Sequence, residues 1–321
     1  MADIAQDPYA GFPPRTADKV ERLLDCLAEM DRHPSLKGKL ALHGGTAINI
    51  FMLDIPRLSV DIDVSYVGTV PKEDMLLERD AIEEGIAQVA QAQGYVVTKK
   101  PGGLAGTSFL LRYRSDWGQD SVKVDCIYLN RSPILPLARR QTPLRTGLQI
   151  LSFADAELVA GKVKAFFDRV KIRDLYDLFN ISRLLVDVDD AGRKACHKLA
   201  LYYASLSAAF PFGFSGRSGR FAGLERAYID ELLPMLRSEA SPPTLEELLA
   251  TAEDFTQRWV LPQNDREQEY LVRFAQAEYA PELLFDDNMM AQAAAQSPEA
   301  LWKLENLKKK AEQKAQSHPF Q

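Results

Sequence analysis

Cysteine is scarce in this chain: Cys26, Cys126 and Cys196 are the only three in 321 residues, an odd number and widely spaced. That pattern argues against a disulfide framework or a cysteine-rich zinc site and fits reduced thiols. The adjacent Cys196-His197 pair has no partners at metal-ligand spacing and reads as structural. No apolar run reaches the ~18 residues that a membrane-spanning helix needs. The stretch Met1 to Arg15 is polar and proline-bearing, unlike a signal peptide, so a cytoplasmic protein with no membrane partner is expected. There is no overall basic charge either: 39 Lys and Arg stand against 45 Asp and Glu, a net charge of −6. Apolar content, by contrast, is ample at 46%, enough over this length for two cores.

The most informative residues lie in two short segments. Leu42-His43-Gly44-Gly45-Thr46-Ala47 follows an apolar run (Leu40, Ala41, Leu42), which puts Gly44 and Gly45 where a strand ends and a helix begins, with open backbone N–H groups. An anion is welcome at such a place. After a short helical stretch comes Arg57-Leu58-Ser59-Val60-Asp61-Ile62-Asp63-Val64. On an extended chain Ser59, Asp61 and Asp63 share one side, while Ile62 and Val64 turn to a core. Neighbouring carboxylates repel unless a cation sits between them.

Those features match nucleotidyl transfer. Moving a nucleotide from a triphosphate to an acceptor needs divalent metal, commonly two ions about 3.5–4 Å apart, and Mg²⁺ or Mn²⁺ takes hard carboxylate oxygens. A third carboxylate usually completes the set. In Ser121-Val122-Lys123-Val124-Asp125-Cys126-Ile127-Tyr128, the apolar positions alternate to one face and Lys123 and Asp125 to the other. Asp125 is therefore the expected third metal ligand beside Asp61 and Asp63. Each piece alone has an ordinary structural explanation, and it is their order and spacing together that are specific.

With these residues in view, Gly-Gly-Thr-Ala followed by Arg-Leu-Ser-x-Asp-Ile-Asp resembles the AbiEii/AbiGii toxin family of nucleotidyltransferases, in the DNA polymerase β-like superfamily. The run Ala156 to Ala165 around Lys162, then Arg169 and Arg173-Asp174-Leu175-Tyr176-Asp177-Leu178, is similar to that family's downstream lysine and Arg-Asp-x-x-Asp motif. A third, weaker likeness is Ser297-Pro298-Glu299-Ala300-Leu301-Trp302-Lys303-Leu304. The resemblance implies metal binding by Asp61 and Asp63. It places Gly44, Gly45, Thr46, Arg57 and Ser59 at the nucleotide, gives Lys162 its phosphates, and leaves Asp174 or Asp177 to complete the catalytic set. It also implies an NTP substrate, a cognate antitoxin, a toxin–antitoxin or phage-defence role, and tRNA 3′ ends as the favoured acceptor. Nucleotidylation or phosphorylation of a protein target or antitoxin, or a non-catalytic nucleotide-binding module, are the alternatives.

The expected fold class is α+β (α/β): a polymerase β-like nucleotidyltransferase domain with a small mixed sheet over residues 1–149, then a mostly helical domain over 150–321. Helices are read at 16–32, 46–53 and 73–93, and strands at 39–43, 60–67, 95–99, 107–114 and 122–129. From about 150 the signals turn helical, with Val159, Val163, Phe166 and Val170 forming a buried stripe. If that helix ran on, Lys162, Arg169 and Arg173 would line its edge. Further helices are read near 193–208, 224–238, 244–260 and 264–278. Arg131 to Arg173 carries nine basic residues against three acidic ones. If this stretch, including an Arg139-Arg140 loop, lines a groove, phosphate attraction follows. The loop with Arg217 and Arg220 is read mainly as a connector, and the polar tail from Leu307 as frayed.

Overall fold

The computed structural model describes residues 7–214 and 223–317. The loop with Arg217 and Arg220 lies outside the described residues. The chain opens with α1 (Pro14–Arg32), whose apolar positions Val20, Leu23, Leu24 and Leu27 recur at helical spacing and are all buried. Strand β1 (Leu40–His43) leads directly into α2 (Gly44–Phe51), followed by β2 (Asp61–Tyr66) and α3 (Lys72–Ala92). Then come β3 (Val96–Pro101), β4 (Gly106–Ser115) and β5 (Gly118–Ile127). Two short strands, β6 (Ala138–Gln141) and β7 (Gln149–Ser152), complete a seven-stranded mixed sheet of order β3-β4-β5-β2-β1-β7-β6.

Two of those strands differ from the sequence reading. Arg139 and Arg140 sit in β6 instead of a loop, because β6 pairs antiparallel with β7 and β7 pairs parallel with β1 through Leu42 and Ser152. A four-residue strand recruited by a neighbour leaves little local signature. The sheet therefore ends at Ser152, and helices take over from Asp155.

The alternation of the central strands sorts the two faces. Ile62, Val64, Val122, Val124 and Cys126 are buried in the core with α1 and α3, each large apolar side chain contributing about 1.5–3 kcal/mol. The opposite face keeps Asp61, Asp63, Lys123 and Asp125 only partly covered. All three cysteines are buried and free.

Helix α4 (Asp155–Arg169) is the hub of the helical half and packs against α2, α5 (Ile172–Leu184) and α6 (Asp190–Leu206). Its expected stripe of Val159, Val163, Phe166 and Val170 is buried. It stops at Arg169, however, because Val170 takes a left-handed φ of +48°, and α5 restarts in a new direction. The expected helix at 224–238 is instead α7 (Leu224–Ala227) continued by a π turn and a Pro234-bearing 3₁₀ turn. Next come α8 (Leu245–Trp259), α9 (Asp265–Ala275), α10 (Asn288–Ala295) and α11 (Pro298–Ser317). The expected frayed tail is helical through Ser317. Among the described residues no helix is long and apolar enough to cross a membrane.

Candidate active site

One transverse row of the sheet builds the centre. The register places His43 of β1 beside Asp63 of β2, Asp63 beside Asp125 of β5, and Asp125 beside Ser108 of β4. Neighbouring residues on adjacent strands point to the same face, so the carboxylates of Asp63 and Asp125 are brought together by pairing alone. Asp61 lies two positions along β2, next to Lys123. The three aspartates singled out from sequence thus occupy one patch of one face.

Burial raises the Asp63 carboxyl to about 6, and the negative charges of Asp61 and Asp125 add to the shift. Its neighbours are tied to protein cations. Asp125 accepts from Ser108 Oγ at 2.5 Å and from Lys123 Nζ at 2.5 Å. Arg173 Nη1 lies 3.4 Å from Asp61 Oδ2. Among the described residues, no three His, Cys, Asp or Glu side chains are grouped so that they could hold a metal ion as they stand. What the patch offers is an all-oxygen donor set in which one carboxylate is held against its ionisation preference. That donor chemistry fits Mg²⁺ or Mn²⁺.

The glycine turn stands directly against this patch. Helix α2 begins at Gly44 with His43 in the cap position and no side chain capping it, so its first amides are open to an anion. Gly44 has φ +70°, and a Cβ there would overlap the Asp63 carboxylate. At Gly45 a Cβ would stand 2.8 Å from Arg57 Nη2. The glycines are thus demanded by the close approach of the two halves of the site.

Behind the turn is a buried ion network. Arg57, 2% exposed, holds Asp177 through two hydrogen bonds of 2.7 Å. Lys162 Nζ is 2.9 Å from Asp174 Oδ1 and 2.9 Å from Asp177 Oδ2. Asn49 of α2 donates to Asp177 at 3.2 Å and to the Gly45 carbonyl at 2.8 Å, and Arg169 reaches Asp174 at 3.1 Å. Burial would raise both carboxyls, but Lys162 with Arg169 at Asp174, and Arg57 with Lys162 at Asp177, outweigh it and hold both below their ordinary value. The same carboxylates overcome burial to keep Lys162 protonated. Ile55 (φ +43°) and Val170 (φ +48°) hold strained backbone next to Arg57 and Arg169, a concentration typical of functional regions.

Between this network and the sheet lies a cavity of about 280 Å³, lined among others by His43, Gly44, Gly45, Asp63, Asp125 and Lys162. A cleft lined by carboxylates, open helix amides and a lysine can bind a metal-bound polyphosphate and hold it for in-line attack. A family model described as nucleotidyl transferase AbiEii toxin, type IV toxin–antitoxin system, matches residues 25–296. The chain belongs to the AbiEii family. It is accordingly a nucleotidyltransferase toxin, with a nucleoside triphosphate as substrate and an antitoxin as partner.

Comparison with solved structures returns MenT4, a nucleotidyltransferase toxin from Mycobacterium tuberculosis H37Rv, at 16% identity and TM-score 0.41, covering 90% of this chain and 83% of that one. It also returns a putative nucleotidyltransferase from H. pylori at 13% identity and TM-score 0.44, covering 77% and 97%. JHP933 from Helicobacter pylori follows at 13% identity and TM-score 0.38, covering 95% and 97%. No curated protein matches the chain.

Not every residue singled out from sequence lines the cleft of this AbiEii-family toxin. The Thr46 hydroxyl donates to the Asp61 carbonyl at 2.5 Å, and Thr46 is 1% exposed. Asp61, paired with Arg173, is not among the residues lining the cavity; Ser59 is buried beside Gly45, and Arg57, Asp174 and Asp177 belong to the network behind it. The basic stretch does not form one groove. Arg139 clasps Asp31, Arg145 clasps Glu21 and Asp25, Arg140 meets Asp155, and Arg131 donates to the Val70 and Tyr128 carbonyls.

Other residues were missed. His43 stacks on Phe153 at 5.5 Å, and burial lowers its pKa to about 4, leaving a neutral ring whose Nε2 has no protein partner. Glu299 lines the cleft and pairs with Lys164 at 3.3 Å, which gives the C-terminal Ser-Pro-Glu motif a place. The signal for His43 was its position at the strand end just before the glycines.

Proposed function

We propose that this toxin transfers a nucleotide from an NTP to the 3′ end of tRNA, with Asp61, Asp63 and Asp125 holding Mg²⁺ or Mn²⁺. The observation that carries the reading is the lateral pairing of Asp63 with Asp125 against the uncapped Gly44-Gly45 helix start. When bound, the metal neutralises the phosphates, lowers the acceptor's pKa and stabilises the departing pyrophosphate.

The chain's own residues do the rest. The amides of Gly44 and Gly45 grip the triphosphate, with Ser59 packed against the turn. Arg57, through Asp177, and Asn49, through Asp177 and the Gly45 carbonyl, fix that turn from behind. Lys162 adds positive potential opposite the carboxylates, and Asp174 and Asp177 hold its ammonium in place. Lys123 and Arg173 pair with Asp125 and Asp61, carboxylates that they would have to give up for a metal ion to be held. Rate enhancement then rests on positioning and fixed charge.

The test is incubation with each α-labelled NTP, Mg²⁺ or Mn²⁺, and either total tRNA or cell protein. Label at tRNA 3′ ends supports the reading. Label on protein alone assigns the acceptor to a protein target or the antitoxin and overturns the tRNA step.

A further inference from the structure

Helix α4 gives the cleft a charged wall whose two edges meet different neighbours. At about 100° per residue, Lys162 and Lys164 stand about 160° apart around the helix, with Gly161 and Ala165 between them. Lys162 takes the edge next to the glycine turn: its Nζ is 2.9 Å from Asp177 Oδ2, and a Cβ on Gly45 would lie 3.7 Å from that oxygen. Lys164 takes the other edge, where Asp168 meets it at 2.7 Å and Glu299 of α11 at 3.3 Å.

The chain fixes α11 over this second edge. The Ser297 hydroxyl accepts from the Ala300 amide at 3.3 Å, and Lys303 Nζ donates to the Ser207 and Phe210 carbonyls at 2.7 and 2.9 Å, just beyond the end of α6. Glu299, in the first turn of α11, is thereby set into the cavity wall with its side chain 15% exposed. Its charge acts on the His43 ring more than any other does, and His43 immediately precedes the glycines. The carboxylate therefore shares one small space with the glycine turn.

A carboxylate in a cleft for a polyanion repels the phosphates, so what it can bind in the substrate is a hydrogen-bond donor. One contact of 3.3 Å to Lys164 uses only part of its capacity to accept. The donors nearest the phosphates of a nucleotide are the ribose hydroxyls. A cavity of about 280 Å³ is at the small end for ligand sites, so the sugar, bonded directly to the α-phosphate, enters it before the base does. Resting on the transferase reading above, we infer that Glu299 is a specificity-determining residue that accepts hydrogen bonds from the ribose hydroxyls of the nucleotide.

The experiment uses the full chain as wild type, E299Q, E299A and K164M. ATP, GTP, CTP and UTP, their 2′,3′-dideoxy counterparts and inorganic tripolyphosphate are titrated calorimetrically in Mg²⁺. Wild type should bind its best NTP about tenfold more tightly than the dideoxy form, equivalent to about 1.4 kcal/mol, the scale of a hydrogen bond to a charged group. E299A should weaken the NTP to the level of the dideoxy form, without weakening the dideoxy form or tripolyphosphate. E299Q keeps one acceptor oxygen and should lose about threefold. K164M removes the ion pair and keeps the carboxylate, so it should retain the preference for the NTP. Should E299A melt early, E299Q carries the test.

Equal weakening of NTP and dideoxy binding in the Glu299 variants, loss of the preference in K164M as well, or a wild type that binds both forms alike overturns the inference and leaves the transferase reading standing. Wild type that binds none of the four NTPs overturns both.

Discussion

At the residue scale, two kinds of charge lie within one site, and their environments give them opposite roles. Asp63, partly covered and set among like charges, holds its proton more tightly than a free carboxyl. Asp174 and Asp177 are buried among cations and hold theirs less tightly. Only the first kind invites a further cation. Their folded pKa values lie below the unfolded ones, so Asp174 and Asp177 stabilise the fold above about pH 3.9, and that contribution is lost as pH falls through the depressed values. Lys162→Met leaves both carboxylates short of a partner and should cost about 3–5 kcal/mol in urea unfolding, with acid unfolding moved to higher pH. An unchanged urea midpoint would contradict the network. Gly44→Ala should lose nucleotide binding and about 1–2 kcal/mol of stability, because it combines a left-handed φ with overlap on Asp63. The aspartates were readable because strand alternation and motif order constrain them. The Arg57–Asp177 pair was not, since 120 residues separate its members and no local pattern links them.

At the element scale, long amphipathic helices and the alternating strands β2, β4 and β5 were legible because one face of each is dictated by burial. β6 and β7 were not, because four residues recruited by a neighbouring strand carry too little pattern. The break between α4 and α5 was hidden as well. Val170 is a poor candidate for a left-handed turn, and it is held there by burial and by its N–H donating to the Phe166 carbonyl at 3.1 Å. That break matters, since it turns Arg173 toward Asp61 instead of leaving it in line with Lys162. Away from the cleft, α8 is opened by a reciprocal capping box between Thr244 and Glu247. Thr244→Ala should lower stability by about 1 kcal/mol by thermal or urea melting and leave nucleotide transfer unchanged. A large loss of activity would mean that α8 is coupled to the site.

At the scale of the whole molecule, β2 and β5 supply Asp63 and Asp125 while α4 and α5 supply Lys162 with its partners Asp174 and Asp177, so the site needs α4 and α5 docked on α2. The net charge of −6 and the internal pairing of most basic residues between Arg131 and Arg173 leave few cations for nucleic acid. Log–log salt dependence of tRNA affinity should therefore be shallow, with a slope of about −2 or smaller in magnitude, corresponding to two or three phosphate contacts. A slope near −6 would mean that basic residues outside the Arg131–Arg173 stretch carry the contact. The central claim, that Asp61, Asp63 and Asp125 form one metal-binding patch against the glycine turn, is tested most directly by Asp63→Asn. Removing a carboxylate that resists ionisation should raise the melting temperature slightly, while transfer of labelled nucleotide falls by about 10³-fold or more. Transfer at the wild-type rate by the folded Asp63→Asn protein would contradict the account.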